Sequence, residues 1–188
     1  SKGTFNIASS TINCQQTVRG ILLESGRSSI QSTTIQNAIT NDNTAAAIQI
    51  NPGTAASISE CTFTDCGTLS QTTSEVFIIV DNSAPTTITD CHFTVNNPIK
   101  SGAVYITSSG SHTITGCDTT GTNSINGAFY YNPPNSNDNA FTFNNNLIDA
   151  AVGSNCAALT FDLTSGTYDL SQITIQNSGR SQNEYIYQ

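Results

Sequence analysis

Positive charge is scarce in this chain of 188 residues. Lysine and arginine together number 5 against 13 aspartates and glutamates, which gives a net charge of −8 at pH 7. So few bases cannot form the basic patch that neutralises nucleic-acid phosphates. The same shortage disfavours an anionic membrane surface, and no apolar run approaches the length of a membrane span. We therefore expect neither a nucleic-acid partner nor direct membrane insertion.

Large apolar residues are also few. Methionine and tryptophan are absent, and hydrophobic residues make up 36% of the chain. A composition rich in Ser, Thr, Asn and Gly is compatible with disorder, but only 10% of the residues are charged, and Val, Ile and Phe return at regular intervals. Asn is abundant, yet no Asn-x-Ser/Thr glycosylation acceptor occurs. The composition is typical of the polar repeat stalks of surface proteins, so we expect an extracellular or cell-surface location.

A repeated motif runs through the whole sequence. Its clearest copies have the form Ile-x-x-Cys-x-Phe and begin at Ile58 and Ile88. Looser copies begin at Ile7, Ile30, Ile114, Phe143 and Leu170, and successive starts of all seven copies are 23 to 30 residues apart. Each copy precedes a second apolar-x-apolar pair, and these pairs are Ile21/Leu23, Ile48/Ile50, Phe77/Ile79, Val104/Ile106, Phe129/Tyr131, Leu159/Phe161 and Ile186/Gln188.

The pattern predicts two short strands in each of about seven units. Alternation with a period of two indicates a strand with one buried face, and turn residues such as Asn51-Pro52-Gly53 separate the strands. A strand this short cannot bury its inner face alone, so each unit must stack on its neighbours. We predict an all-β fold, a right-handed parallel β-helix solenoid. Residues 1–188 form one domain of it, and we expect it to be part of a longer solenoid.

One unit carries a family resemblance. The stretch with Ile88, Cys91, Phe93 and Asn96, followed by Gly102-Ala103-Val104, resembles the repeat of the chlamydial and protist polymorphic membrane proteins. That family pairs Phe-x-x-Asn with Gly-Gly-Ala-Ile. This sequence departs from it at Cys66, which stands where an Asn is expected after Phe63. The resemblance implies a right-handed β-helix on a cell surface, often with an adhesive role, and it does not imply an enzyme.

Three cysteines occupy one column of successive units. Cys61, Cys91 and Cys117 share the inward parity of Phe63 and Phe93. Stacked strands lie about 4.8 Å apart, whereas a disulfide prefers Cβ atoms about 3.8 Å apart. We therefore expect buried thiols rather than a bridge. A straight column does not converge as four zinc ligands must, so the sequence predicts neither a metal site nor a cofactor.

The acidic residues give the alternative, carbohydrate-active interpretation. Glu60 and Asp90 occupy the same position in adjacent units, and Asp65 follows nearby. Paired carboxylates about 5 Å apart can support glycoside hydrolysis, but no Lys or Arg falls in that column. Solvated acids at turns explain the same pattern. No catalytic residue is assigned.

Threonines recur at the outward positions of the predicted strands. A flat Thr-x-Thr array on a β-helix could bind ice, but beside the Phe column only one unit, with Thr62 and Thr64, carries both threonines. Thr is also simply a good exposed strand residue. His92 and His112 are interpreted as surface histidines.

The second strand gives the binding prediction. Its outward positions are predicted to be Leu22, Gln49, Ile78, Tyr105, Tyr130, Thr160 and Tyr187. Five of these seven residues are apolar or aromatic, namely Leu22, Ile78, Tyr105, Tyr130 and Tyr187, and a contiguous apolar patch of this kind favours an interface. A loop such as 132–139 folded over the patch would explain the same pattern.

These observations favour a non-enzymatic surface or secreted protein that acts in adhesion or as a structural stalk. The expected partner is a host-cell or matrix protein or a glycan. One alternative is a polysaccharide-active enzyme or sugar-binding module, and another is a subunit of an extracellular fibre. The fibre hypothesis rests on head-to-tail self-association through open end coils, with Tyr185-Ile186-Tyr187 as the contacting segment.

Overall fold

Short parallel strands make up nearly all of the regular structure. The computed structural model describes residues 3–16, 19–40, 45–68, 76–81, 83–97, 99, 101–153, 156–163 and 165–180. Every pair of neighbouring named strands is parallel, and each strand pairs with its counterpart one repeat away. The chain is therefore a parallel β-solenoid, as the sequence predicts.

The first five coils each contribute three strands rather than the predicted two. The first-position strands are β1 (Thr4–Ala8), β4 (Gly26–Gln31), β7 (Thr54–Ser59), β10 (Thr86–Thr89) and β13 (Ser111–Thr115). The second-position strands are β2 (Thr11–Asn13), β5 (Thr34–Gln36), β8 (Thr62–Thr64), β11 (His92–Thr94) and β14 (Asp118–Thr120). In the last two coils one long strand covers both positions, as β16 (Ala140–Asp149) and β19 (Thr167–Gln176).

The third-position strands form a separate six-stranded sheet. They are β3 (Ile21–Leu23), β6 (Ala45–Ile50), β9 (Val76–Val80), β12 (Gly102–Ile106), β15 (Phe129–Tyr131) and β18 (Leu159–Phe161). A small two-stranded sheet joins β17 (Val152–Gly153) to β20 (Gly179–Arg180). The predicted strand at Ile186 and the predicted site residue Tyr187 lie outside the described residues.

The repeated motif is divided by a corner, which explains the extra strand. One residue after each first strand has a positive φ, from 47° at Ser32 to 66° at Gly116. The other corner residues of this column are Ser9, Glu60, Asp90, Asn145 and Gln172. This left-handed conformation is sterically unfavourable for residues with a Cβ, and its recurrence in seven coils shows that stacking fixes the corner. Ile58 and Cys61 face the same core from two sides of the bend.

Stacked apolar columns fill the interior. The motif's first residues pair in register from Ile7 to Leu170, and Ile58 is paired with Ile88 on the adjacent strand, as predicted. The Phe63 and Phe93 rings stack with their centroids 4.9 Å apart and 6° between their planes. Continuous burial of this kind is the main favourable contribution to folding.

The column after the corner holds polar and sulfur-containing side chains that contact the backbone. Thr33, Cys61 and Cys91 donate to the carbonyls of Gln31, Ser59 and Thr89, at 2.9, 3.1 and 3.2 Å. In a later coil Asn146 accepts a hydrogen bond from the Cys117 amide and donates to the Ile114 carbonyl. These bonds satisfy buried carbonyls at the bend, since unpaired buried polar groups are costly.

Candidate functional site

The outer face of the third-position sheet carries one continuous row of side chains. Register runs from Leu22 to Gln49, then through Ile79, Tyr105 and Tyr130 to Thr160. We call these six residues the outer stripe. The row extends over all six strands of the sheet, and Leu22, Tyr105 and Tyr130 lie in it in register.

The prediction of an outward Ile78 is wrong. Ile78 is fully buried in the core, and its neighbour Ile79 takes the outward position beside Tyr105. The alternation breaks because Phe77 and Ile78 are both packed in the core. The register between β6 and β9 also shifts after Ala45, as at a β-bulge, where two consecutive residues can oppose one.

The two tyrosines of the outer stripe differ in exposure. Tyr105 is only 7% exposed, and its hydroxyl hydrogen-bonds to the Ser124 hydroxyl. Its ring lies against Gly102, where any Cβ would come within 2.8 Å of the ring. Tyr130 is half-buried, with its ring centroid 5.1 Å from that of Tyr105, and its hydroxyl accepts a bond from Asn132. Tyr105 is thus a packed support rather than an exposed contact residue.

The most open part of the outer stripe is its first coil. Leu22 is 44% exposed, and Phe5, from a neighbouring column that is buried in the middle coils, is 41% exposed. Together with Leu23, Glu24, Ser25 and Ser28 they line a shallow groove of about 550 Å³. Exposed large apolar side chains beside a carboxylate make this groove a candidate contact region at the first coil.

A row of polar side chains follows the outer stripe and was missed in the sequence. Each residue comes directly after a third-position strand, and from the second coil onward its amide donates to a carbonyl of the preceding coil. We call this row the polar ladder, and it contains Glu24, Asn51, Asp81, Thr107, Asn132 and Asp162. It places three acids and two amides beside the stripe. The signal was available in the sequence, because each of these residues follows the second apolar pair, directly in five units and after Val80 in the unit of Asp81.

The three acids of the carbohydrate-active alternative are held in different environments. Asp65 is 8% exposed and its carboxylate accepts bonds from the Asn96 amide, the Asn97 amide and the Asn97 side chain, at 2.6, 3.2 and 2.8 Å. Glu60 accepts a bond from the Ser32 hydroxyl at 2.8 Å. Asp65 follows the second strand of its coil, whereas Glu60 and Asp90 occupy the corner after the first strand. The Asp65 carboxylate therefore fixes a loop.

The two histidines have opposite environments. The side chain of His92 is 54% exposed, and its Nδ1 lies 2.5 Å from the Asp118 carboxylate on the next coil. His112 is 1% exposed, so its interpretation as a surface residue is wrong. It shares the inward parity of Ile114, and its Nε2 bonds the Ser109 carbonyl. Its Nδ1 has no hydrogen-bond partner among the residues that the structure describes. Burial lowers the pKa of His112 below its ordinary value.

All six cysteines are free thiols in the structure. Cys61, Cys91 and Cys117 are at most 1% exposed and face the core in one column. The pKa of Cys61 is raised by its neighbour Cys91 and by burial, and burial raises the pKa of Cys66 to about 12. A raised pKa keeps the thiol protonated and poorly nucleophilic. These cysteines are packing residues.

Two features are absent from the described residues. No group of three or more His, Cys, Asp or Glu side chains there could hold a metal ion. In the same part of the chain, no helix is long and apolar enough to cross a membrane.

Comparison with known proteins gives one match. The sequence model of the family described as the right-handed β-helix region matches residues 1–178. The search of curated proteins found no match, and neither did the search of solved structures.

Proposed function

We propose that this chain, which belongs to the right-handed β-helix family, is a non-enzymatic solenoid that acts in adhesion at a cell surface or after secretion. The observation that carries the proposal is the outer stripe, which is continuous over six strands and ends in the groove at Leu22 and Phe5. An apolar row with a polar border is the usual composition of a contact surface.

The chemistry of this surface indicates its partner. The polar ladder supplies the carboxylates of Glu24, Asp81 and Asp162 and the amides of Asn51 and Asn132. These groups accept hydrogen bonds from hydroxyl, amide or cationic groups. A protein or glycan of a host cell or matrix offers such donors, and an extended partner could contact successive coils in the same way.

A polysaccharide-active function has less support from the geometry. Glycoside hydrolysis requires two carboxyl groups that flank one bond. Asp65 is committed to the Asn96–Asn97 backbone, and Glu60 is bonded to Ser32. Product release from pectin or alginate that is abolished by Glu60→Gln or Asp90→Asn would overturn the non-enzymatic proposal.

The fibre alternative is favoured by one observation. In the first and last described coils, Phe5, Leu170 and Ile175 are 41%, 38% and 48% exposed. These residues belong to columns that are fully buried in the middle coils. End-to-end contact between copies would continue the columns, and sedimentation of the chain over a range of concentrations tests for it.

The adhesion proposal is tested by binding to cultured cells, to matrix proteins and to a glycan array. We expect saturable binding that falls at least about tenfold, or about 1.4 kcal/mol, when Leu22→Ala and Tyr130→Ala are combined. Thr94→Ala is the matched control, because Thr94 is a half-buried outward residue on the second-position strands. Binding that is absent, or that falls equally in the control, would contradict the proposal.

A further inference from the structure

The outer face of the first-position strands carries a regular array of Ser and Thr side chains. On the first-position strands β7, β10 and β13, the last two outward residues before the corner are Ser or Thr in every coil, and Ala55 precedes them on β7. We call them the hydroxyl face, and they are Ser57, Ser59, Thr87, Thr89, Thr113 and Thr115. Two adjacent coils therefore carry a complete Thr-x-Thr pair, whereas the strands beside the Phe column have one such coil.

The hydroxyl face is a regular two-dimensional array. Thr87 is in register with Ser57 and Thr113, and Thr89 is in register with Ser59 and Thr115. Neighbouring strands lie about 4.8 Å apart and alternate residues along a strand about 6.6 Å apart. Thr142 and Asn144 continue both columns into the next coil. The hydroxyl groups thus repeat in two directions on one sheet.

The hydroxyl groups of this face are available to solvent. All six side chains are exposed or half-buried, and within the described residues none makes a side-chain hydrogen bond to the protein. The β-branched Thr side chain has few χ1 rotamers, so its hydroxyl and methyl groups are held in place before any ligand binds. Such preorganisation lowers the entropic cost of binding.

The face carries no charged side chain, although the chain has a net charge of −8. Charges border it at Glu60 and Asp90 on the corner and at Arg27 and Asp169 in the outer coils. It also lacks the large aromatic residues that mark protein interfaces. A neutral, rigid array of free hydroxyls is therefore complementary to a neutral, periodic surface that exchanges hydrogen bonds.

We propose that the hydroxyl face binds the surface of ice crystals. Ice is a neutral lattice of hydrogen-bond donors and acceptors, and the array orders first-shell water along two fixed directions. Bridging water of this kind binds nearly as well as direct contact. A protein fixed to ice forces the growing crystal surface to curve between the attached molecules, which lowers the freezing temperature without changing the melting temperature.

The experiment measures this gap between freezing and melting, together with crystal shape, for the intact chain. We expect a gap and faceted crystals with the unmodified protein, and loss of both in Thr87→Tyr combined with Thr113→Tyr. The bulky rings would hold the array away from ice. The matched control is Thr64→Tyr combined with Thr94→Tyr, a registered pair of half-buried outward threonines on β8 and β11. This control should keep the gap, and circular dichroism should show that both variants fold.

Three outcomes would overturn the proposal. The first is a gap no larger than that of a non-binding protein at equal concentration. The second is an equal loss in the two double variants. The third is a dimer in sedimentation that Thr87→Tyr with Thr113→Tyr abolishes while no gap is present, which would assign the face to a second copy of the chain. None of these outcomes bears on the outer stripe, which lies on a different sheet.

Discussion

The middle coils and the last described coil carry the same columns but bury them differently. Ile88 and Leu170 belong to one column, yet Ile88 is fully buried and Leu170 is 38% exposed. In the next column Phe93 is fully buried, whereas Ile175 is 48% exposed. The difference shows that burial in this fold comes from the coils on either side. Stability should therefore be a sum over neighbouring coils rather than a property of one coil.

Truncating a middle-coil aromatic should have the largest effect. Phe93 packs against Phe63, Phe77 and Phe129, so Phe93→Ala removes apolar burial and leaves a cavity. We expect a loss of about 3–5 kcal/mol in the free energy of unfolding, measured in urea. Ile175→Ala, in the same kind of column at the edge, should cost about 0.5 kcal/mol. Equal losses in the two variants would refute the comparison.

Asp65 and Glu60 show the same difference between a buried and an exposed position. Asp65→Ala removes three hydrogen bonds from Asn96 and Asn97 to a carboxylate, including those of two backbone amides. We expect a loss of about 1–3 kcal/mol. Glu60→Ala is the matched control, because Glu60 is exposed and has one bond to Ser32. An equal loss of unfolding free energy in Glu60→Ala and Asp65→Ala would contradict the role of Asp65 in fixing the loop.

The buried His112 should make the stability of the fold depend on pH. Burial holds the pKa of His112 below 6.5 in the folded chain, so the unfolded chain binds the extra proton more readily. Stability from this residue is then complete above pH 6.5 and is lost as pH falls below it. We expect urea midpoints to fall between pH 7 and pH 5, and His112→Phe to reduce that slope. His92→Phe serves as the control and should leave the slope unchanged. A slope that falls in His92→Phe but not in His112→Phe would contradict the prediction.

The cysteines should differ in the rate at which a thiol reagent labels them in the folded chain. Cys156 is half-buried, whereas Cys61 and Cys91 are fully buried with raised pKa values. A thiol reagent followed by mass spectrometry should label Cys156 first and Cys61 and Cys91 only in denaturant. Rapid labelling of Cys91 in the folded chain, or a Cys61–Cys91 disulfide, would show that the column is open or oxidised.

The apolar columns could be predicted from sequence because their spacing survives loops of different length. Ile58, Ile88 and Ile114 start equivalent motifs, and stacking requires them to pair. The corner could not be read from the same pattern, because the positive φ of Glu60 preserves the inward direction of Cys61 while it bends the chain. Ile78 was misassigned for a related reason, since Phe77 and Ile78 face inward together and break the alternation.

The burial of His112 and the hydroxyl face both follow from the alternation of inward and outward residues along a strand. His112 lies two residues before the inward Ile114 and must face the core, and Thr113 lies between them and must face outward. Applying that rule to each first-position strand yields the hydroxyl face. The packing of Tyr105 on Gly102 could not be predicted, because it depends on the Ser124 loop and on the absence of a Cβ at one position.

Both proposed surfaces depend on the register of the coils, so the most direct test measures that register. In a sample with labelled Ile δ1 methyl groups, nuclear Overhauser contacts should link Ile7 to Ile30, Ile30 to Ile58, Ile58 to Ile88 and Ile88 to Ile114. Alternate members such as Ile58 and Ile114 lie about 9.6 Å apart and should show no direct contact. A strong Ile58–Ile114 contact, or no contact between Ile58 and Ile88, would contradict the stacked order on which the outer stripe and the hydroxyl face rest.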